Sequence, residues 1–137
     1  MRVDDQPRGA VAIIANARGD LLLHLRDDVP HIAWPGHWSV LGGGCDPGES
    51  PHQAIVRELH EEAGLAVADL DELFEVPDVH GSGQLITVYS GTWEGEAAAL
   101  ALTEGTKLDW VAPDLLDILL IPPFIRTALH RYLADRP

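Results

Sequence analysis

The chain has 137 residues, 46% of them apolar, and sets 22 Asp and Glu against 9 Lys and Arg for a formal charge of −13. That length is one domain and that apolar share builds one core, which excludes a chain disordered throughout or a multidomain assembly. The acidity repels phosphate backbones and anionic lipid heads, excluding nonspecific binding to DNA, RNA or a membrane surface. A phosphorylated ligand must therefore bring a cation with it or find one in place.

The single cysteine, Cys45, forms no intrachain disulfide and no multi-cysteine zinc site, and it fits a reducing compartment. No basic start followed by an apolar stretch is present, and the longest apolar runs fall far short of the ~20 residues of a membrane span. The expected location is the cytoplasm.

Residues 1–8 are polar, include Pro7, and read as a loose arm before a single domain at 9–137. The β-prone run at 9–14, the turn residues at 16–20 and the apolar run at 21–26 predict a hairpin. Residues 27–36, with two prolines, read as a loop, and 37–41 as a short strand stopped by Gly42, Gly43 and Gly44. The best-marked element is a helix over 50–64. Ser50 caps it, Pro51 suits its first turn, Gln53 completes a capping box and Gly64 ends it.

Alternation predicts strands at 70–76 and 84–93, broken by the turn-rich 78–83. The alanine-rich 95–102 is ambiguous, 107–111 reads as a short strand, and 123–134 as a terminal helix with Ile125, Leu129 and Leu133 on one face. The sum is a mixed sheet with one central and one C-terminal helix, an α/β or α+β sandwich.

On a wheel of the central helix, Ile55, Val56, Leu59 and Ala63 form an apolar arc, and Glu58, Glu61 and Glu62 fill the adjacent one. Like charges at i, i+3 and i+4 cost a helix roughly 0.2–0.5 kcal/mol per pair, so helix formation does not ask for this cluster. A hard divalent cation does, since Mg²⁺ or Mn²⁺ takes oxygen ligands and keeps room for water and phosphate oxygens. Upstream, the glycines at 42–44 allow close approach of backbone to a ligand, and a carbonyl there can join a metal shell.

From Gly43 there are five residues to Glu49, seven more to Arg57, and then Glu58, Leu59, His60, Glu61, Glu62, Ala63, Gly64 and Leu65. This pattern resembles the Nudix box, G-x5-E-x7-R-E-U-x-E-E-x-G-U with U aliphatic, at every fixed position over 43–65. The resemblance implies a MutT-like α/β/α sandwich with a mixed sheet, and a Mg²⁺-dependent hydrolase, with Mn²⁺ as substitute. Such an enzyme cleaves the pyrophosphate of a nucleoside diphosphate linked to another moiety by water attack on phosphorus.

Carried over, Glu58, Glu61 and Glu62 are metal ligands with the Gly42 carbonyl as a further one. Arg57 steers a carboxylate, Gly43 and Glu49 support the loop, and the base is Glu58 or the loop residue Glu104. Many relatives have Pro-Gly-Gly where Leu41, Gly42 and Gly43 stand, and valine and glutamate where Cys45 and Asp46 stand, so substrate preference does not transfer with the box. A nucleoside triphosphate or oxidised nucleotide is the leading substrate class. ADP-ribose or an NDP-sugar is the alternative, and a module that senses a nucleotide without hydrolysing it is a more distant one.

Substrate contacts are weaker readings. Arg26 follows a strand and can meet a phosphate, with a surface ion pair to Asp27 or Asp28 the competing role. Trp34 and Trp38 flank a Pro-Gly turn and can stack on a base, with Trp38 the expected substrate contact, although packing is the commoner use of both. His80 lies in the glycine-rich break. The expected partner is a small phosphorylated nucleotide, with no nucleic-acid polymer and no membrane. Relatives are often homodimers, and 115–121 is an apolar stretch for such an interface, with the core as its stronger reading.

Overall fold

The computed structural model describes residues 7–103 and 105–136. Seven strands, β1 (Arg8–Ala15), β2 (Leu21–Leu25), β3 (Trp38–Ser39), β4 (Leu41–Gly44), β5 (Asp71–Pro77), β6 (Leu85–Thr92) and β7 (Lys107–Val111), accompany two helices, α1 (Pro51–Ala63) and α2 (Pro123–Ala134). Residues 1–6 of the expected arm lie outside the described residues. Arg8 already opens β1, and the Pro7 carbonyl accepts from Leu85 N at 2.9 Å.

The strands form one mixed sheet in the order β3-β2-β1-β6-β5, with β4 on β1 and β7 on β2. β1 runs parallel to β6 over its whole length and antiparallel to β4 from Gly9 opposite Gly44 to Ala12 opposite Leu41. The expected hairpin is present as a connection, but β1 and β2 pair only at Ala15 and Leu21. Beyond that pair the strands part, because β1 takes β4 and β2 takes β7 and β3.

Successive residues of β1 point to opposite faces, and both faces are covered, which is why the strand is an unbroken apolar run. Val11 and Ile13 join Leu23, Val88, Ile125 and Leu129 under α2, whereas Ala12 and Ile14 join Leu22, Leu41, Ile55 and Leu59 under α1. The result is the α/β/α sandwich. Among the described residues no helix is long and apolar enough to cross a membrane.

The glycines at 42–44 do not stop a strand as expected; they are the strand β4. What permits it is the tight seam with β1: at Gly42, with φ of 154°, an added Cβ would collide with the Ala10 carbonyl. The carboxyl end of that seam meets α1, whose start is fixed by the Ser50 and Gln53 capping box and whose end is fixed by Gly64 at φ of 63°. An N-cap of this kind contributes ~1 kcal/mol.

The buried face of α1 differs from the expected arc. Val56 is 48% exposed, while Glu62 is 3% exposed among Ala54, Ile55, Leu59 and Ala63. At 100° per residue Glu62 falls between Ala54 and Ile55, so the face that meets the sheet passes through a carboxylate and leaves Val56 at its margin. The apolar 115–121 stretch also divides: Leu116 and Ile121 are core, and Leu115, Ile118 and Leu120 are exposed.

Candidate active site

Arg57 is the centre of the cluster. Its Nε and Nη2 donate to the two carboxylate oxygens of Glu49, each at 2.8 Å, and Nη2 also reaches the Gly44 carbonyl at 3.0 Å. Nη1 donates to Glu58 at 2.7 Å and Glu61 at 3.1 Å, and Nε stands 3.4 Å from Asp46. A two-pronged guanidinium–carboxylate pair is charge-assisted and directional. The Arg57 guanidinium, helped by the Asp46 amide, accordingly pulls the Glu49 carboxyl down to about 2, and the Glu49 and Glu58 carboxylates raise Arg57 above its usual value. One side chain thereby fastens the 44–49 loop to the middle of α1.

Glu62 works on the other side of the same seam. Its buried carboxylate accepts from Gly42 N at 2.9 Å, tying α1 to β4. Gly43 supplies the room for Glu58, since a Cβ there would lie 2.7 Å from the Glu58 carboxyl carbon. From α1 the chain of contacts continues to the loop after β6: Thr103 N donates to the Glu62 carbonyl and Thr103 Oγ1 to the Glu61 carbonyl, both at 2.8 Å. Thr106 N donates to the Leu25 carbonyl at 2.8 Å and its hydroxyl to Asp27 at 3.2 Å. Glu104, between them in sequence, lies outside the described residues.

The donor set is chemically suited to a hard divalent cation. Glu58, Glu61 and Glu62 share one end of α1 with the backbone of Gly42, and the cradle at Gly43 keeps a carboxylate where a side chain would otherwise sit. Among the described residues no three acidic, His or Cys side chains are grouped so as to hold a metal ion as they stand. Glu58 and Glu61 are instead turned onto Arg57.

One cavity opens against Gly42 and Gly43 of this cluster, and a second adjoins the first. The first, of about 150 Å³, is lined by Gly42, Gly43, Arg26, Trp34, Asp78 and Phe124 among others. The second, of about 290 Å³, shares Trp34, Asp78 and Phe124 and adds His80, Val79 and Thr127. Arg26 thus reaches the cavity against the glycine strand, while its Nε donates to the Ala33 carbonyl at 2.7 Å. His80 belongs to the farther cavity. Trp38 lines neither and packs, partly buried, against the α2-side core, so of the two tryptophans it is Trp34 that meets the cavity.

Gly42, Gly43, Glu49, Arg57, Glu58, Glu61 and Glu62 are therefore brought together, Arg26 borders them and His80 stands apart. The expectation had no place for Asp78 or Phe124. Asp78 is 3% exposed and bonds a residue 44 positions away, a pairing no local pattern announces.

His24, on β2 two residues before Arg26, is 3% exposed with its Nδ1 lacking a hydrogen-bond partner. Burial, reinforced by Arg26, pushes its pKa down to about 4. The unfolded chain therefore binds a proton that the fold refuses between pH ~6.5 and ~4. Stability from this group is complete above that window and is lost as pH falls through it, on the order of a few kcal/mol. Denaturant unfolding of the wild type and His24→Leu at pH 7.5 and 4.5 checks this: the wild type should lose more stability than the variant, and equal losses would refute it.

A model of the NUDIX domain family matches residues 5–132. An 8-oxo-dGTP diphosphatase of Haemophilus influenzae is 31% identical over 133 residues, covering 92% of this chain and 90% of that protein. A CTP pyrophosphohydrolase of Escherichia coli is 33% identical over 104 residues, covering 76% and 75%. In fold, a MutT protein from Methanosarcina mazei superposes with a TM-score of 0.82 at 23% identity, over 95% of this chain and 94% of that one.

Proposed function

This chain belongs to the NUDIX family, and from that premise we propose that it hydrolyses the pyrophosphate linkage of a small nucleotide, a nucleoside triphosphate or oxidised nucleotide first among its substrates. The observation that carries the reading is the meeting of the Arg57-centred carboxylate cluster with the β4 glycines at the mouth of a cavity that also holds Arg26. Relatives named for 8-oxo-dGTP and CTP support the triphosphate end of the range.

In this reading Glu58, Glu61 and Glu62, with the Gly42 carbonyl, hold a divalent cation, Mg²⁺ or Mn²⁺. When bound, that ion supplies charge neutralisation of the pyrophosphate and a lowered pKa for a water. Arg26 orients a phosphate from the cavity side, and Arg57 keeps Glu58 aimed while locking the loop that carries Glu49. As the water oxygen bonds to phosphorus and the bridging oxygen leaves with its electron pair, the water proton passes to a carboxylate, Glu58 or Glu104. Separate pH–rate profiles for Glu58→Gln and Glu104→Gln assign it, the base being the residue whose loss removes the acidic limb.

The decisive experiment is a panel of nucleoside triphosphates, 8-oxo-dGTP, ADP-ribose, NDP-sugars and dinucleoside polyphosphates, assayed with and without Mg²⁺ or Mn²⁺. Metal-dependent release of a nucleoside monophosphate is expected. Absence of turnover on every member would sink the reading, and tight binding without product would leave a sensing module in its place.

A further inference from the structure

Trp34 is the one non-glycine residue with positive φ among the described residues, at 53°. A bulky side chain in the left-handed region is strained, and such strain persists only where its surroundings hold it. Here three features do so. The indole Nε1 donates to the buried Asp78 carboxylate, at 3.1 Å to Oδ1 and 3.4 Å to Oδ2. Asp78 is itself immobilised, because its Oδ2 accepts from Ser82 N at 2.8 Å and from the Ser82 hydroxyl at 3.0 Å. Gly81 leaves the space: an added Cβ would collide with the Trp34 indole nitrogen and stand 2.7 Å from Asp78 Oδ1.

These features come from two loops far apart in the chain, and they converge on a half-buried ring that belongs to neither core and meets the His37 ring edge-on at 5.3 Å. Their product is a fixed indole shared by the two cavities, one of which touches Gly42 and Gly43. An indole plane is a stacking surface for a neutral planar group, and the planar group of a nucleotide is its base. Arg26 lines the same cavity, so a ligand with its phosphates near Arg26 has its base within reach of Trp34.

We infer that Trp34 is a specificity-determining residue that stacks on the nucleobase, and that Asp78 is a positioning residue that holds its indole in place. The inference rests on the reading that the cavity beside Gly42 and Gly43 takes a nucleotide. It assigns Asp78 no contact with the reacting phosphorus, so its loss acts on binding rather than on the chemical step.

The test compares Trp34→Leu, Asp78→Ala, Asp78→Asn and the Trp34→Leu/Asp78→Ala double variant on the best triphosphate substrate. Trp34→Leu and Asp78→Ala should each raise KM roughly tenfold with kcat within about twofold. The double variant should be no worse than either single one, since both remove the same placed ring. Asp78→Asn should recover part of the loss, because its amide oxygen still accepts from the indole although its NH2 no longer accepts from Ser82 N, and it keeps the test open if Asp78→Ala fails to fold.

Kd for dGMP and CMP by calorimetry gives a second readout independent of turnover. Wild-type turnover with unchanged KM and Kd in Trp34→Leu overturns this inference and leaves the hydrolase reading intact. Absent turnover with a Kd weakened about tenfold by the variants overturns the hydrolase reading and upholds this one.

Discussion

Glu62→Gln should reduce metal-dependent turnover by roughly two to four orders of magnitude while leaving the fold in place. The substitution keeps size and an oxygen able to accept from Gly42 N, the bond that ties α1 to β4 at 2.9 Å. What it removes is a negative charge held at 3% exposure. A carboxylate is the hard, anionic oxygen donor that a divalent cation takes, and the neutral amide that replaces it is a poorer one. Two measurements separate this from a structural effect. Melting in chelator should be unchanged in the variant, and the rise in Tm that Mg²⁺ gives the wild type should vanish. Equal Mg²⁺ shifts in both proteins, or undiminished turnover, would remove Glu62 from the metal site.

The second large effect is expected from a single methyl group. In Gly43→Ala the new Cβ stands 2.7 Å from the Glu58 carboxyl carbon and 2.8 Å from each of its oxygens. The backbone at Gly43 is not in the left-handed region, so the strand tolerates alanine; the carboxylate must give way. Displacing it breaks the 2.7 Å bond to Arg57 Nη1 and moves the side chain proposed as ligand and base. The expected result is a fall in kcat of about 10²-fold or more, in line with a misplaced catalytic group, with a stability cost of ~1–3 kcal/mol for overpacking. Gly44→Ala is the control, because its Cβ meets mainly the flexible end of Gln84, with Nε2 at 2.8 Å. Similar activity losses in both variants would show that the strand, and not Glu58, is what Gly43 protects.

The parts of the molecule legible in the sequence are those written by local chemistry. The 123–134 helix and the 107–111 strand are where expected, and the caps of α1 are the residues foreseen, because turn, cap and periodicity signals act within a few positions. The polar spacing over 43–65 marked the residues that the structure gathers round Arg57. What escaped depends on partners distant in the chain. Glycines at 42–44 resemble a stop until β1 is laid against them, and the neighbouring arcs on the α1 wheel do not reveal which one meets the sheet. Trp34 and Trp38 look alike beside a Pro-Gly turn; only Asp78, brought over by the β5–β6 turn, distinguishes them.

The guanidinium of Arg57 bears on how the proposed metal site would be loaded. Acidic clusters assembled only by a metal fall apart when stripped, and in such proteins loading is folding. Here an internal cation already pairs with Glu49, Glu58 and Glu61, and Gly42 already holds Glu62. In the proposed reading these bonds within the chain, and not the cation, tie the carboxylates to the fold, so removing a bound cation should leave the framework standing.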